Sequence, residues 1–164
     1  MGKSAMIKVR LQIGEGGIYD TMEKWGLVYI SSDHRFAAPF KELEKTTYPE
    51  EEGEHISNKA VANAFDYKVE FLVKADGSLD NANKVIANFN SQLINQVGES
   101  ISQVNQVTFY NDYKKVKIVG TPSPIVEATD FWRDAKGIQH DVVKVELVIR
   151  VSKPSLCDFN LVSD

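Results

Sequence analysis

Apolar and polar positions alternate with period two in several parts of the chain. Ile7, Val9, Leu11 and Ile13 alternate with Lys8, Arg10 and Gln12, so 7–13 reads as a strand with one buried face. Gly14, Gly16 and Gly17 end it in a loop. WGLVYI at 25–30 predicts a second strand, stopped by Ser31, Ser32 and Asp33. At 65–75, Phe65, Tyr67, Val69, Phe71 and Val73 share one face, and Asp66, Lys68, Glu70 and Lys74 the other. Asp76-Gly77 signals a turn, and Ser78 or Asp80 can cap the next element. The period then changes to that of a helix. Ala82, Val85, Ile86, Phe89, Leu93 and Val97 form an apolar stripe ending near Gly98.

Strand patterning returns at QVTFY (106–110) and at 113–119. In the second of these, Val116 and Ile118 oppose Lys115, Lys117 and Val119. Gly120, Pro122 and Pro124 predict a bend, and DAKGIQ at 134–139 a hairpin tip. The last strand, 141–151, faces Val143, Val145, Leu147, Ile149 and Val151 one way and stops before Pro154. Between these elements, 33–63 carries Pro39, Pro49 and the polar run YPEEEGEHISNK, which predicts an irregular arm with one short strand. The expected fold is α+β: a mainly antiparallel β-sandwich or split barrel with one main amphipathic helix on a sheet. With 164 residues, no repeats and no linker, the chain reads as a single domain over 1–164.

Charge narrows the partners. A formal net charge of -4 and a pI near 5.4 argue against nucleic acid or an anionic membrane as the main partner. The N-terminal stretch is interrupted by Lys8, Arg10 and Gln12, so it reads as no signal peptide, and no run nears the roughly 20 apolar residues of a membrane span. The glycine at position 2 lacks the Ser or Thr that myristoylation wants at position 6, where Met6 stands. The expectation is a soluble, intracellular product without a disulfide, since Cys157 is the lone cysteine.

Candidate chemistry is sparse. His34, His55 and His140 show no metal spacing, and Cys157 has no base beside it. GKS at 2–4 lacks the strand and first glycine of a phosphate loop, and GEGG at 14–17 opens no helix. Glu50, Glu51 and Glu52 lack the alternating ligands of a calcium loop. Neither a catalytic residue, nor a cofactor, nor a metal is expected. Two charged runs remain: Glu50, Glu51 and Glu52 in the arm, and Lys114, Lys115 and Lys117 on a predicted short strand. The lysines suit an edge strand that must avoid stray pairing. Equally, acid on one subunit and base on the next suit a head-to-tail contact. Phe36, Phe40, Phe131 and Trp132 are candidate aromatic anchors, with core packing as their alternative.

The order of elements carries a resemblance. YPEEEG precedes the strand AFDYKVEFLVKA and the capped helix SLDNANKVIANFNSQLI; VTFYNDYKKVKIVG and VVKVELVIRVSKP come after them. Over 48–154 this resembles the tail proteins of long-tailed bacteriophages and prophages, above all the ring-forming N-terminal part of distal tail proteins, related in fold to tail-tube proteins. The resemblance implies a sandwich or split-barrel core, hexameric rings around a channel that DNA traverses as cargo, contacts with other tail or baseplate proteins, and no catalysis. It implies a place in the virion tail after assembly in the bacterial cytoplasm, with 33–63 as the inter-subunit arm. The chain is too short for the extra C-terminal carbohydrate-binding-like domain of many distal tail proteins, and the resemblance does not extend to an alignment of 1–49, so tube and terminator roles stay open. The alternative is a β-sandwich module binding a small molecule or carbohydrate with Trp25, Trp132 and nearby tyrosines. An enzyme ranks last.

Overall fold

The computed structural model describes residues 7–40, 45–46, 55–56, 61–75, 78–133 and 140–161, with backbone alone at 45–46, 55–56, 96, 130–133 and 140–141. Two long strands form its spine: β6 (Phe65–Lys74) and β12 (His140–Val151). They pair antiparallel from Val142↔Lys74 to Val151↔Phe65. Both alternate as their sequences require, and Tyr67, Val69, Phe71, Val145, Leu147 and Ile149 are wholly buried. On the far side of β6 lies β3 (Leu27–Ser32), whose register shifts between Tyr29 and Ser31.

The other half of the sheet is built from hairpins. The hairpin of β1 (Arg10–Ile13) and β2 (Ile18–Asp20) turns at Gly14, which sits at φ 58, open to glycine without strain. β1 pairs with β9 (Val107–Asn111), and β9 with β10 (Val116–Ser123). β10 joins the halves. Its residues 116–120 pair with β9, and 121–123 pair with β12. The handover falls at Gly120, where an added Cβ would lie 2.4 Å from the Arg150 carbonyl oxygen. The strand order is β2-β1-β9-β10-β12-β6-β3, and β11 (Asp130–Arg133) pairs with the start of β12, completing eight strands. The ends, β2 and β3, do not pair with each other, so the sheet curls without closing. Tyr67 and Phe109 meet across the interior at 5.9 Å between rings.

One face of the core is covered by α2 (Leu79–Leu93), which buries Ala82, Phe89 and Leu93. Ser78 is its cap, accepting from the Asp80 amide at 3.2 Å. A short helix α1 (Thr21–Trp25) bridges β2 to β3, capped by Asp20 and stopped at Gly26 with φ 78. Its Trp25 stacks edge-on against Phe89 at 5.6 Å and donates from Nε1 to Gln92.

The sheet-dominated α+β architecture is the expected one, but several local expectations change. Trp25 ends a helix rather than starting a strand, and β3 runs through Ser31 and Ser32. The main helix stops at Leu93, one turn early, and the chain forms a hairpin of β7 (Ile94–Gln96) and β8 (Ser102–Val104). Asn105 holds that hairpin to the helix end, donating from its amide to Leu93 O and from Nδ2 to Gln92 O. Gly120 and Pro122 lie inside β10 rather than ending it. The turn at 76–77 and the tip at 134–139 lie outside the described residues.

The two halves are pinned by a polar seam. Tyr67 donates to Ser32 Oγ at 3.2 Å, Tyr29 Oη lies 2.8 Å from the same oxygen, and Asn111 Nδ2 donates to Tyr29 Oη at 3.0 Å. Burial pushes the Tyr67 hydroxyl up to about 12. A raised acid keeps its proton longer in the folded chain than in the unfolded one. Its contribution is therefore complete below pH 10 and is lost as pH rises towards 12. Urea midpoints measured across that window should fall more steeply for the wild-type chain than for Tyr67→Phe. Parallel profiles would show that Tyr67 titrates normally.

Candidate subunit-contact surface

The arm begins where β3 ends. Asp33 continues the pairing with β6: its amide donates to Lys68 O at 3.0 Å, and its carboxylate accepts from the Lys68 amide at 3.0 Å. Arg35 lays its guanidinium 4.2 Å from the centre of the Phe65 ring. The chain then departs at Phe40, which is bridged to Ala62, with the Asn63 amide donating to Pro39 O at 2.6 Å. Between these points β4 (Lys45–Thr46) and β5 (His55–Ile56) pair antiparallel.

The described residues on either side of this pair are apolar and open. Phe36 is 82% exposed, Phe40 64% and Val61 57%. Phe36 touches His34, with ring centres 4.8 Å apart. Among the described residues, these large apolar side chains stay out of the core. Glu50, Glu51 and Glu52 lie outside the described residues.

The lysines are placed differently from expectation. Lys114 and Lys115 belong to the turn joining β9 to β10, and of the three only Lys117 is in a strand. That strand is no edge, since β10 is paired on both sides. Lys114 is half-buried, and its Nζ donates to Ser32 O at the start of the arm. Its amide donates to Asn111 Oδ1 at 3.0 Å. Lys115 has φ 57, the only positive value among described non-glycine residues, and it completes the tight turn.

The fold thus brings Phe36, Phe40 and the lysine turn to one end of the molecule, although some seventy residues separate them in sequence. Trp132 does not join them. Its backbone pairs with Val142, whereas the arm base adjoins Phe65, which pairs with Val151. Nine residues of extended β12 separate these points, about 30 Å at ~3.3 Å per residue. The side chains of Phe131 and Trp132 are outside the described set.

The aromatic ligand platform fails at Trp25, which is 5% exposed and turned into the core. A feature that sequence reasoning missed is an open groove of about 270 Å³ between α2 and residues 125–128. Ile86, Ala87, Ile125 and Val143 form its apolar walls. Asn90 fixes one wall, donating to Ile125 O at 2.7 Å and accepting from the Ile125 amide at 3.0 Å. An asparagine on the half-polar flank of the helix was the only available signal. Cys157 packs half-buried against the core, and burial pushes its thiol up, away from the reactive thiolate form. No group of three or more His, Cys, Asp or Glu among the described residues could hold a metal ion. No helix among the described residues is long and apolar enough to cross a membrane.

No family model and no curated protein matches the chain. Solved structures do. One is the SPP1 Dit (gp 19.1) protein, presented as a paradigm of the hub adsorption apparatus in phages infecting Gram-positive bacteria. The match has a TM-score of 0.52 and 16% identity, and covers 89% of this chain and 50% of that one. This chain therefore spans about half the length of that phage protein and shares the fold of the part it matches.

Proposed function

We propose that the chain is a structural component of a phage or prophage tail, a distal-tail-type subunit that assembles with copies of itself into a hexameric ring around the tail channel. The observation that carries this reading is the fold shared with a phage adsorption-apparatus hub over 89% of the chain. The apolar arm base supports it, because Phe36 and Phe40 have the exposure of contact residues awaiting a partner. A ring needs a heterologous interface whose rotation closes. In this reading one domain spans 1–164, and its arm at 33–63 reaches the next subunit. Glu50, Glu51 and Glu52 would meet the turn and strand start of Lys114, Lys115 and Lys117 on the neighbour, with other tail or baseplate proteins above and below. DNA passes as cargo, no catalysis is involved, and the protein resides in the virion tail after assembly in the bacterial cytoplasm.

The test is solution mass by light scattering on a sizing column, across protein concentration, with negative-stain images of the large species. Sixfold rings are the expected result. A monomer at every concentration, alone and with the products of neighbouring tail genes, would overturn the reading. Raising salt should weaken the assembly if acid–base pairs contribute at its rim.

A further inference from the structure

After β12 the chain turns back through a short 3₁₀ segment, Pro154–Leu156, and lies along β10. That position is structurally determined. β12 pairs with β10 only at Thr121, Pro122 and Ser123, so the same edge nearer the start of β10 would be bare. Residues 157–161 cover it. The Asp158 amide donates to Lys117 O at 2.9 Å, and the Lys117 amide donates back to Asp158 O at 2.7 Å. The Leu161 amide donates to Lys115 O at 2.8 Å. At Val119 a thiol stands in for backbone: Cys157 Sγ accepts from the Val119 amide at 3.3 Å.

This strap also reaches the arm. Phe159 lies 6.1 Å, ring to ring, from Phe65, the ring that receives Arg35 of the arm base. The turn whose Lys115 carbonyl holds Leu161 is the turn whose Lys114 holds Ser32 O. Strap and arm base therefore share two supports, the Phe65 ring and the turn at 112–115.

We infer that residues 157–161 are a clasp that fixes the base of the arm, so that closing or releasing the C-terminal strap sets how firmly residues 33–40 are held. The strap suits this part because it is attached by a few backbone bonds and the half-buried side chains of Cys157 and Phe159, and so should open before the β6–β12 spine does. The inference concerns the single chain and stands whether or not rings form.

Amide hydrogen exchange on the full chain tests it, comparing wild type with Asp158→Pro/Phe159→Ala. The proline removes the donor to Lys117, and the alanine removes the ring against Phe65. Exchange at least tenfold faster is expected at Lys117 and also at Asp33 and Asn63, with Val69 and Leu147 unchanged. Faster exchange at Lys117 alone would overturn the coupling. So would a parallel rise at Val69 and Leu147, since the effect would then be global, or unchanged protection at Lys117, since the strap would not be held by these contacts. If the double variant does not fold, Phe159→Ala alone, with its ring only half-buried, carries the same comparison at Asp33 and Asn63.

Discussion

Gly120→Ala should cost about 3 kcal/mol of folding stability, at the upper end for overpacking. The added methyl would lie 2.4 Å from the Arg150 carbonyl oxygen, 2.9 Å from its carbon and 2.8 Å from Ile149 Cγ2. Two of those atoms are backbone, and they belong to the strand least able to move. β12 is tied to β6 along the full register from Val142↔Lys74 to Val151↔Phe65. Nor can β10 retreat, because residues 116–120 are held by β9. The methyl would force apart the junction through which the two halves of the sheet share a core. With a urea slope of about 1–3 kcal/mol per molar, the midpoint should fall by roughly 1–3 M. Gly98→Ala is the control. Its nearest contact would be Ile101 Cβ at 3.6 Å, ordinary van der Waals distance, and its effect should stay within about 0.5 kcal/mol. Equal midpoints for the two variants would show that β10 does not cross so close to β12.

Phe36→Ser with Phe40→Ser should abolish self-association while leaving the fold intact. At 82% and 64% exposure the rings contribute little to the monomer, so its unfolding midpoint should move by no more than a surface substitution does, within about 0.5 kcal/mol. In an interface, buried aromatic anchors carry about 2 kcal/mol or more each. That is roughly 30-fold in association per ring, and about a thousandfold for the pair if the two act independently. Light scattering across concentration should then record a monomer at concentrations where the proposed ring of wild-type chains forms. Assembly that survives the double substitution would remove the arm base from the interface and direct attention to the α2 groove. A lowered unfolding midpoint would assign the rings to the fold instead.

The spine of this protein was legible in its residues. β6 and β12 alternate almost without fault, and a strand with one buried face has little freedom, since a slip of one residue turns its whole apolar set outward. The main helix was legible for the same reason, with Ser78 or Asp80 as its cap, and the structure selects Ser78. Its end was not. Val97 continues the helical stripe in sequence yet is 59% exposed, because Asn105 captures the last carbonyls and the chain takes a hairpin instead. Periodicity cannot register a side chain that arrives from beyond the element.

The lysines show the same boundary more sharply. Lys114, Lys115 and Lys117 read as a strand edge because local pattern alone cannot say which strands lie alongside. The structure pairs β10 on both sides and uses Lys114 to hold Ser32, eighty-two residues away. The sequence by itself determined the class of fold, the spine and the main helix, because each rests on repeating burial over neighbouring residues. Only the tertiary structure decided that the arm base, the lysine turn and the C-terminal strap share one end, that Trp132 is placed at the other, and that Gly120 is the crossing. Those are relations between distant segments, set by which strands pair and how closely their backbones approach, and no local period encodes them.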